Sequence, residues 1–309
     1  MYLCHDMNKW IQAARLRTLP LALACVGMGA ILAKFDGFFD WIIFSLLVLT
    51  TILLQVLSNF ANDYGDFVHG ADSKERTGPS RLVQSGEISA TAMKNAIILF
   101  SILSFISGIL LLYYSVGFQQ VGFYIFLGFG IAAIYAAITY TAGKNPYGYI
   151  GLGDISVFLF FGLLGVLGSA YLFTNELNPV NILPAISCGF FSTAVLNLNN
   201  IRDIESDLKA GKRSIPVRIG REAALRYHVL LIVLGIISAI FFIFINYQSI
   251  FQFIFLLVIP LFIRNIRAVK TIKAAERLDP YLKQLAISTL IFVFLYGISL
   301  LLGLLLYKL

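Results

Sequence analysis

The chain is poor in charged residues. Asp, Glu, Lys and Arg make up only 13% of its 309 residues, about half the share typical of soluble proteins. Hydrophobic residues make up 59%. So apolar a composition excludes an intrinsically disordered chain, and apolar runs as frequent as these exclude an ordinary soluble domain.

Cysteine is scarce as well. Cys4, Cys25 and Cys188 are isolated, and none belongs to a CxxC or Cys/His pattern. This spacing argues against a disulfide framework or a zinc site and favours packing residues. The net charge is +7, but no soluble basic domain is present to carry it, so we expect no nucleic-acid partner.

Long apolar runs recur along the chain, and each could cross a hydrocarbon core about 30 Å thick. Each run should be a helix, because lipid offers no partner to free backbone groups. We expect no cleavable signal peptide, since the basic N-terminal segment continues directly into a span. The nine predicted spans are residues 18–34, 40–60, 94–114, 119–140, 152–173, 180–200, 227–246, 249–264 and 285–307.

Lysine and arginine are concentrated on alternate loops. If the N-terminus is cytoplasmic, the cytoplasmic loops and adjoining helix ends hold 21 of the 23 Lys and Arg residues. Only Lys34 and Lys308 fall on the other side, as the positive-inside rule predicts. We therefore expect a multi-pass protein of the bacterial cytoplasmic (inner) membrane, with its C-terminus on the opposite side.

The two longest cytoplasmic loops share one motif at a fixed offset of 137 residues. The pattern N-x3-D-x9-R-[TS]-x-P-x-R-[LI] begins at Asn62 and again at Asn199. This offset corresponds to four spans, so the two halves would be parallel four-helix repeats. A duplicated fold whose loops merely stayed polar is the alternative. The predicted organisation is one domain, 1–309, with halves at about 10–145 and 146–284 and a last helix at 285–309.

The first motif aligns polar side chains on one helix face. Asn59, Asp63 and Asp66 are spaced i, i+4 and i+7, and Asn62 lies four residues before Asp66,. Asp72 comes later in the same loop. Carboxylates stacked in this way at a membrane helix end repel one another and are costly to desolvate.

The second motif repeats this arrangement. Asn199, Asp203 and Asp207 are spaced i, i+4 and i+8, with Asn200 beside them. A cation would relieve the repulsion, and ligands that are all oxygen suit Mg²⁺ rather than Zn²⁺. Two facing clusters predict a pair of Mg²⁺ ions that bridge to a diphosphate. The alternative is a set of helix-end charges paired with nearby Lys and Arg.

Basic residues follow each acidic cluster. Arg76 and Arg81 lie in the first motif, and Lys212, Arg213 and Arg218 lie in the second. Guanidinium groups bind phosphate oxygens in a bidentate manner. A proline in each motif would turn the loop back over the site as a lid that excludes water.

Taken together, these segments resemble the UbiA-type intramembrane prenyltransferases over nearly the whole chain. The segments that carry the resemblance are NDYGD (62–66), GAD (70–72), RTGPSR (76–81), NNIRDIESD (199–207) and GKRSIPVRIG (211–220). The segments at 10–22 and 147–162 are most similar to the subfamily that prenylates 1,4-dihydroxy-2-naphthoate in menaquinone synthesis.

The resemblance implies nine transmembrane helices around a central cavity, capped by cytoplasmic loops. It implies that Asp63, Asp66, Asp72, Asp203 and Asp207 bind a polyprenyl diphosphate through Mg²⁺. The prenyl group would pass to dihydroxynaphthoate with loss of CO₂, giving a demethylmenaquinone. Position 154 is Asp, where the subfamily has Glu as often, a change that keeps the charge.

On this interpretation the acceptor carboxylate needs a cation, for which Arg15, Arg17 and Lys144 are the candidates. Arg15 and Arg17 could instead be orientation signals only. Asp154 would orient an acceptor hydroxyl. Aromatic faces would stabilise the allylic cation, with Tyr140 as a candidate alongside Tyr64 and Tyr135.

Three other functions stay open. Another superfamily member would use a 4-hydroxybenzoate, homogentisate, chlorophyllide or haem acceptor, which the donor motifs do not distinguish. A cation-coupled transporter would need ionisable residues deep within its spans, whereas the charges here lie at helix ends and in loops,. A non-catalytic lipid-binding scaffold would not explain the paired aspartate clusters.

Overall fold

The computed structural model describes residues 2–70 and 81–307, with side chains for 8–70 and 81–306. Asp72 and Arg76 lie outside the described residues. Within them every regular element is a helix, and there is no strand. The first helices are α1 (Tyr2–Ala14), α2 (Leu19–Phe35), α3 (Trp41–Val68), α4 (Ala90–Ser115) and α5 (Val121–Thr139).

The second half of the chain continues in the same way. Its helices are α6 (Gly153–Thr174), α7 (Ile182–Arg202), α8 (Ile204–Lys209), α9 (Ile215–Ile219), α10 (Arg221–Ile245), α11 (Ile250–Thr271) and α12 (Asp279–Tyr307). In the described part of the chain, nine helices are long and apolar enough to cross a membrane, namely α2 to α7 and α10 to α12. The prediction of an all-α membrane protein with nine spans is confirmed.

Four spans extend six residues or more beyond their apolar runs. α3 continues past the predicted end at 60 to Val68 and α11 continues past 264 to Thr271. α10 begins at Arg221 rather than at 227, and α12 begins at Asp279 rather than at 285. These extensions carry polar residues, which a search for apolar runs does not detect. The sequence also gave no indication of α1, which precedes the first span. The four-helix repeat, the capping loops and the single domain stay predictions.

The second half packs densely around α7. Phe191 stacks on Phe262 with ring centroids 4.7 Å apart and meets Phe292 edge-on at 5.0 Å. α6 and α7 approach at two glycines, since a Cβ on Gly162 would lie 2.6 Å from the Cα of Gly189. Small residues of this kind let membrane helices come into backbone contact.

The first half is open by comparison. α5 packs on α3 and α4, but Phe123 is its one buried residue. A cavity of about 380 Å³ lies between α5 and α6 and is lined largely by apolar side chains of α2 to α6. This cavity reaches Asn62, where the first motif lies.

Candidate active site

The first motif lies on the last two turns of α3, as its spacing predicts. Asp63 and Asp66 are 1% and 4% exposed, so both carboxylates are withdrawn from solvent. Asn59 is also buried, but its amide donates to Ala14 O (2.8 Å) and to Thr18 Oγ1 (3.0 Å). In these contacts Asn59 ties α3 to the segment that enters α2.

The loop after α3 returns to cover these aspartates. The Leu82 backbone N–H donates to Asp63 Oδ2 (3.2 Å). Arg81, which is 5% exposed, forms an ion pair with Asp66 and donates to Asn62 O (2.5 Å). An arginine predicted to bind phosphate is thus paired with one of the predicted metal ligands.

The second motif departs from one continuous helical face. α7 ends at Arg202, Asp203 interrupts the helix with φ −98° and ψ 11°, and α8 begins at Ile204. Arg202 donates to both oxygens of Asp203, with Nε and Nη2 each 2.7 Å away. Its Nη2 also donates to Asn199 Oδ1 (2.9 Å). The helix is therefore interrupted at Asp203, although the backbone N–H groups of Asp203 and Asp207 still donate to the carbonyls four residues earlier, at 3.1 and 2.8 Å. The side chain of Asp203 is held by its own neighbour.

Asp207 stays close to Asp203 despite the interruption. Lys212 Nζ lies 3.3 Å from its Oδ1, and Ser214 Oγ donates to its Oδ2 at 3.3 Å. Burial raises the pKa of Asp207 above its ordinary value, and the charges of Asp203 and Asp66 raise it further, while Lys212 lowers it. The influence of Asp66 shows that the two motifs share one electrostatic environment.

The loop between α5 and α6 connects the two motifs physically. The Tyr149 hydroxyl donates to Asp66 Oδ1 (2.9 Å), and the Tyr149 carbonyl accepts from the Arg213 backbone N–H (2.8 Å). Arg218 Nη2 donates to Ile150 O (2.6 Å). Gly151, with φ +80°, lies under this contact, and a Cβ there would be 2.8 Å from Arg213 O. The two motifs are therefore joined through this loop at one end of the bundle.

Tyr140 stands between the aspartates and the apolar cavity. It lines that cavity, and its ring packs edge-on against Tyr147 at 5.3 Å. Burial raises the pKa of Tyr140, and the charges of Asp154, Asp207 and Asp66 add to the effect. Of the other aromatic candidates, Tyr135 is 68% exposed on the outer surface and Tyr64 packs in the apolar cluster beside α1.

The donor set at this end fits a hard divalent cation. Asp63 Oδ1 and Asn200 Oδ1 are buried and have no hydrogen-bond partner among the residues described. The two positions are related by the repeat offset of 137. Within the described ranges, no three His, Cys, Asp or Glu side chains converge as a metal cluster. Mg²⁺ suits such a site, because it typically takes one or two carboxylates and completes its shell with phosphate and water.

The predicted acceptor residues are more dispersed. Asp154 is buried, and its Oδ2 has no hydrogen-bond partner in the described part of the chain. Lys144 is exposed in the loop after α5, and Arg213, which was predicted to bind the diphosphate, is exposed in the loop after α8. Arg15 adopts a left-handed backbone conformation (φ 49°) where α1 turns towards α2, and Arg17 forms an ion pair with Asp279 at 2.6 Å.

Sequence reasoning missed three residues of this network, namely Asp279, Arg202 and Tyr149. Asp279 accepts from Arg17 and, at 2.6 Å, from Arg202 Nη1, so one carboxylate joins the starts of α2 and α12 to the end of α7. Tyr149 is the third. The RD pair at 202–203 and the charged start of α12 were the available signals, but neither shows which distant residue is the partner.

Comparisons with known proteins fit this arrangement. A sequence profile described as the UbiA prenyltransferase family matches residues 21–287. The chain belongs to the UbiA prenyltransferase family. Among its relatives is a 1,4-dihydroxy-2-naphthoate octaprenyltransferase of Haemophilus influenzae, 44% identical over 96% of this chain and 97% of the relative. The enzyme of the same name from Escherichia coli is 45% identical over 84% of each chain.

Solved UbiA structures share the fold at lower identity. A UbiA homologue from Aeropyrum pernix superposes with a TM-score of 0.65 at 16% identity, covering 95% of this chain and 98% of that one. A homologue from Archaeoglobus fulgidus, solved with DMAPP and Mg²⁺ bound, gives 0.58 at 20% identity over 92% and 98%. These two structures support the helical architecture of this UbiA family member.

Proposed function

We propose that this UbiA family member transfers a polyprenyl group from its diphosphate to 1,4-dihydroxy-2-naphthoate with loss of CO₂. The observation that carries the proposal is the bridge that Tyr149 forms between Asp66 of the first motif and the Arg213 backbone of the second, next to an apolar cavity lined by Asn62 and Tyr140. Relatives 44% and 45% identical bear the name of this octaprenyltransferase. Charged groups at one end and an apolar cavity beyond them match a substrate with a diphosphate head and a hydrocarbon tail.

On the donor side, Asp63, Asp66, Asp203 and Asp207, with the Asn200 amide oxygen, are the proposed Mg²⁺ ligands. Bound Mg²⁺ would neutralise the negative charge that grows on the departing diphosphate. Asp72 and Arg76 belong to the same proposal but lie outside the described residues. Burial of the aspartates away from water strengthens these electrostatic interactions and protects the allylic cation from hydrolysis.

Several basic side chains are proposed to assist the departing diphosphate. Lys212, Arg213 and Arg218 follow the second aspartates, and Arg81 faces the first. Arg81 and Lys212 are already paired with Asp66 and Asp207. We propose that they shift towards phosphate oxygens once a metal takes over those carboxylates.

On the acceptor side, the carbon–oxygen bond to diphosphate breaks, and the ring carbon that bears the carboxylate attacks the allylic cation. The carbon–carbon bond to CO₂ then breaks, and its electron pair restores the aromatic ring. The product is the quinol form of demethylmenaquinone. Tyr140 is proposed to face the cation, Asp154 to orient a ring hydroxyl, and Lys144 or Arg15 to hold the carboxylate. Arg17, which forms an ion pair with Asp279, is the third candidate for this role.

The test is prenyl transfer by the purified chain in detergent. Dihydroxynaphthoate, a polyprenyl diphosphate and Mg²⁺ are incubated together, and the lipid extract is analysed by mass spectrometry. We expect the prenylated quinol from the parent chain and none from Asp63→Asn or Asp203→Asn. Asp36→Asn, an exposed aspartate at the other end of the bundle, is the matched control and should keep its activity. Full turnover in either site variant would refute the proposal.

The same assay separates the alternatives. Preferred turnover of 4-hydroxybenzoate would place the chain elsewhere in the family. Mg²⁺-dependent turnover in detergent, where no ion gradient exists, would exclude an obligatory cation-coupled transporter.

We propose the bacterial cytoplasmic membrane as its location, with the N-terminus in the cytoplasm, on the strength of the lysine and arginine asymmetry,. A single domain of two parallel halves is proposed with it. Reporter fusions at the two termini test the orientation, since opposite compartments are expected for an odd number of spans.

A further inference from the structure

A second cavity lies apart from the aspartate site. It has a volume of about 480 Å³ and is formed by the end of α11 and the start of α12, with Arg264, Arg267 and Tyr281 among its lining residues. Tyr281 follows Asp279, which pairs with Arg202 at the end of α7. This groove therefore opens at the same end of the bundle as the aspartates, where the membrane helices leave the hydrocarbon.

Two exposed arginines line this groove. Arg264 and Arg267 are exposed, and in the described ranges neither guanidinium has a hydrogen bond or an ion pair. Their spacing of three places them side by side on α11, where like charges repel. An anion bound between them would remove the repulsion, and guanidinium groups are well suited to phosphate oxygens.

The same helix face becomes apolar one turn away from the arginines. Pro260 and Ile263 line the groove, and Leu257 is 71% exposed just beyond them. Free phosphate would gain nothing from these side chains. A molecule with a phosphate head and acyl chains would contact the arginines and the apolar strip together.

The walls of the groove are fixed by buried hydrogen bonds. Asn265, which is fully buried, donates through Nδ2 to Tyr281 O (3.0 Å) and to Gln284 Oε1 (2.6 Å). Gln284 donates in turn to Leu261 O (3.0 Å). These bonds join α11 to α12, so the groove does not have to form when a ligand arrives.

We propose that this groove binds an anionic phospholipid of the surrounding bilayer. Its phosphate lies between Arg264 and Arg267, and its acyl chains follow Pro260, Ile263 and Leu257. The assignment is independent of the prenyl transfer reaction, because none of these residues belongs to the aspartate site.

The test measures lipid retention by native mass spectrometry of the purified full-length chain. Phosphatidylglycerol, phosphatidylcholine and inorganic phosphate are added separately to the parent chain and to R264Q/R267Q. The control variant K270Q/K273Q removes the same charge from exposed lysines that do not line the groove. Prenyl transfer by each variant checks that it is folded.

We expect phosphatidylglycerol to bind the parent and the control alike, and R264Q/R267Q about 30-fold more weakly, at roughly 1 kcal/mol per arginine. Phosphatidylcholine and phosphate should bind no better to the parent than to R264Q/R267Q. An equal loss in the control variant would show that only general surface charge attracts the lipid, and would overturn the proposal. Tight binding of inorganic phosphate would overturn it too, because the apolar strip would then play no part. If R264Q/R267Q fails to fold, R264Q and R267Q are measured singly, and undiminished binding in both would refute the site.

Discussion

Asp279→Ala tests whether the ion-pair network at the start of α12 organises the second aspartate motif. Asp279 accepts hydrogen bonds of 2.6 Å from both Arg17 and Arg202. The Arg17 pair is about one-third exposed and should contribute roughly 0.5 kcal/mol, as solvent-exposed pairs do. Arg202 is 2% exposed, and its hydrogen bond to a carboxylate should contribute about 2 kcal/mol. The expected loss is therefore about 2–3 kcal/mol.

In a chain of this size the loss corresponds to a fall in Tm of roughly 3–5 °C. The change is measured by thermal unfolding in detergent, with the loss of the monodisperse protein peak in size-exclusion chromatography as the readout. The exposed Glu276→Ala is the matched control, because it removes the same charge three residues earlier, where the structure gives the side chain no partner within the described residues.

The variant should also need more Mg²⁺ for half-maximal prenyl transfer. Without Asp279, Arg202 still pairs with Asp203 and, having lost a competing carboxylate, competes more strongly with the metal for it. Equal Tm values for Asp279→Ala and the parent, or equal falls in Asp279→Ala and Glu276→Ala, would refute the reasoning.

Three further substitutions probe the site and its frame. Tyr149→Phe removes the hydrogen bond to Asp66 and should lower kcat/KM about tenfold, for a loss of roughly 1.5 kcal/mol; an unchanged value would contradict the bridging role. Asp207→Asn should abolish transfer yet raise Tm at neutral pH, since burial raises the pKa of Asp207 and its ionised form therefore costs folding free energy,. That gain should vanish as the pH falls below the ordinary Asp value near 4; a gain that persists in acid would point to packing instead. Gly65→Ala would place a Cβ 2.5 Å from the backbone of the facing loop and should lower both Tm and activity, whereas Gly128→Ala, with open space around it, should change neither.

Much of the fold could be predicted because membrane helices have a strong local signature. The length of the apolar runs, and the need to hydrogen-bond every backbone group in lipid, specify all nine spans without reference to tertiary contacts. The i, i+4, i+7 spacing of Asn59, Asp63 and Asp66 also reports a helical face directly, and α3 extends through it. The polar ends of α3 and α12 were missed because an apolar run shows only the part of a helix that lies within the hydrocarbon core.

The partners within the site could not be predicted, because no period relates them. Arg17 and Asp279 are 262 residues apart, and Tyr149 and Asp66 are 83 apart. The contact between Arg202 and Asp203 is the clearest example. Its neighbour Asp203 was expected on a continuous helical face, but the bidentate contact between them accompanies a break in the helix that spacing alone does not reveal.

The charges that the two motifs bury argue for two metal ions rather than one. The described members are four carboxylates and three cations, namely Asp63, Asp66, Asp203 and Asp207 with Arg81, Arg202 and Lys212. The resulting excess of one negative charge is consistent with the raised pKa of Asp207. A diphosphate of charge about −3 with one Mg²⁺ would leave a net charge of about −2 in a buried site, which is costly. A second Mg²⁺ brings the sum to about zero. Initial rates at fixed donor should therefore rise with Mg²⁺ with a Hill coefficient of about 2, and a simple hyperbola at all donor concentrations would argue for a single ion.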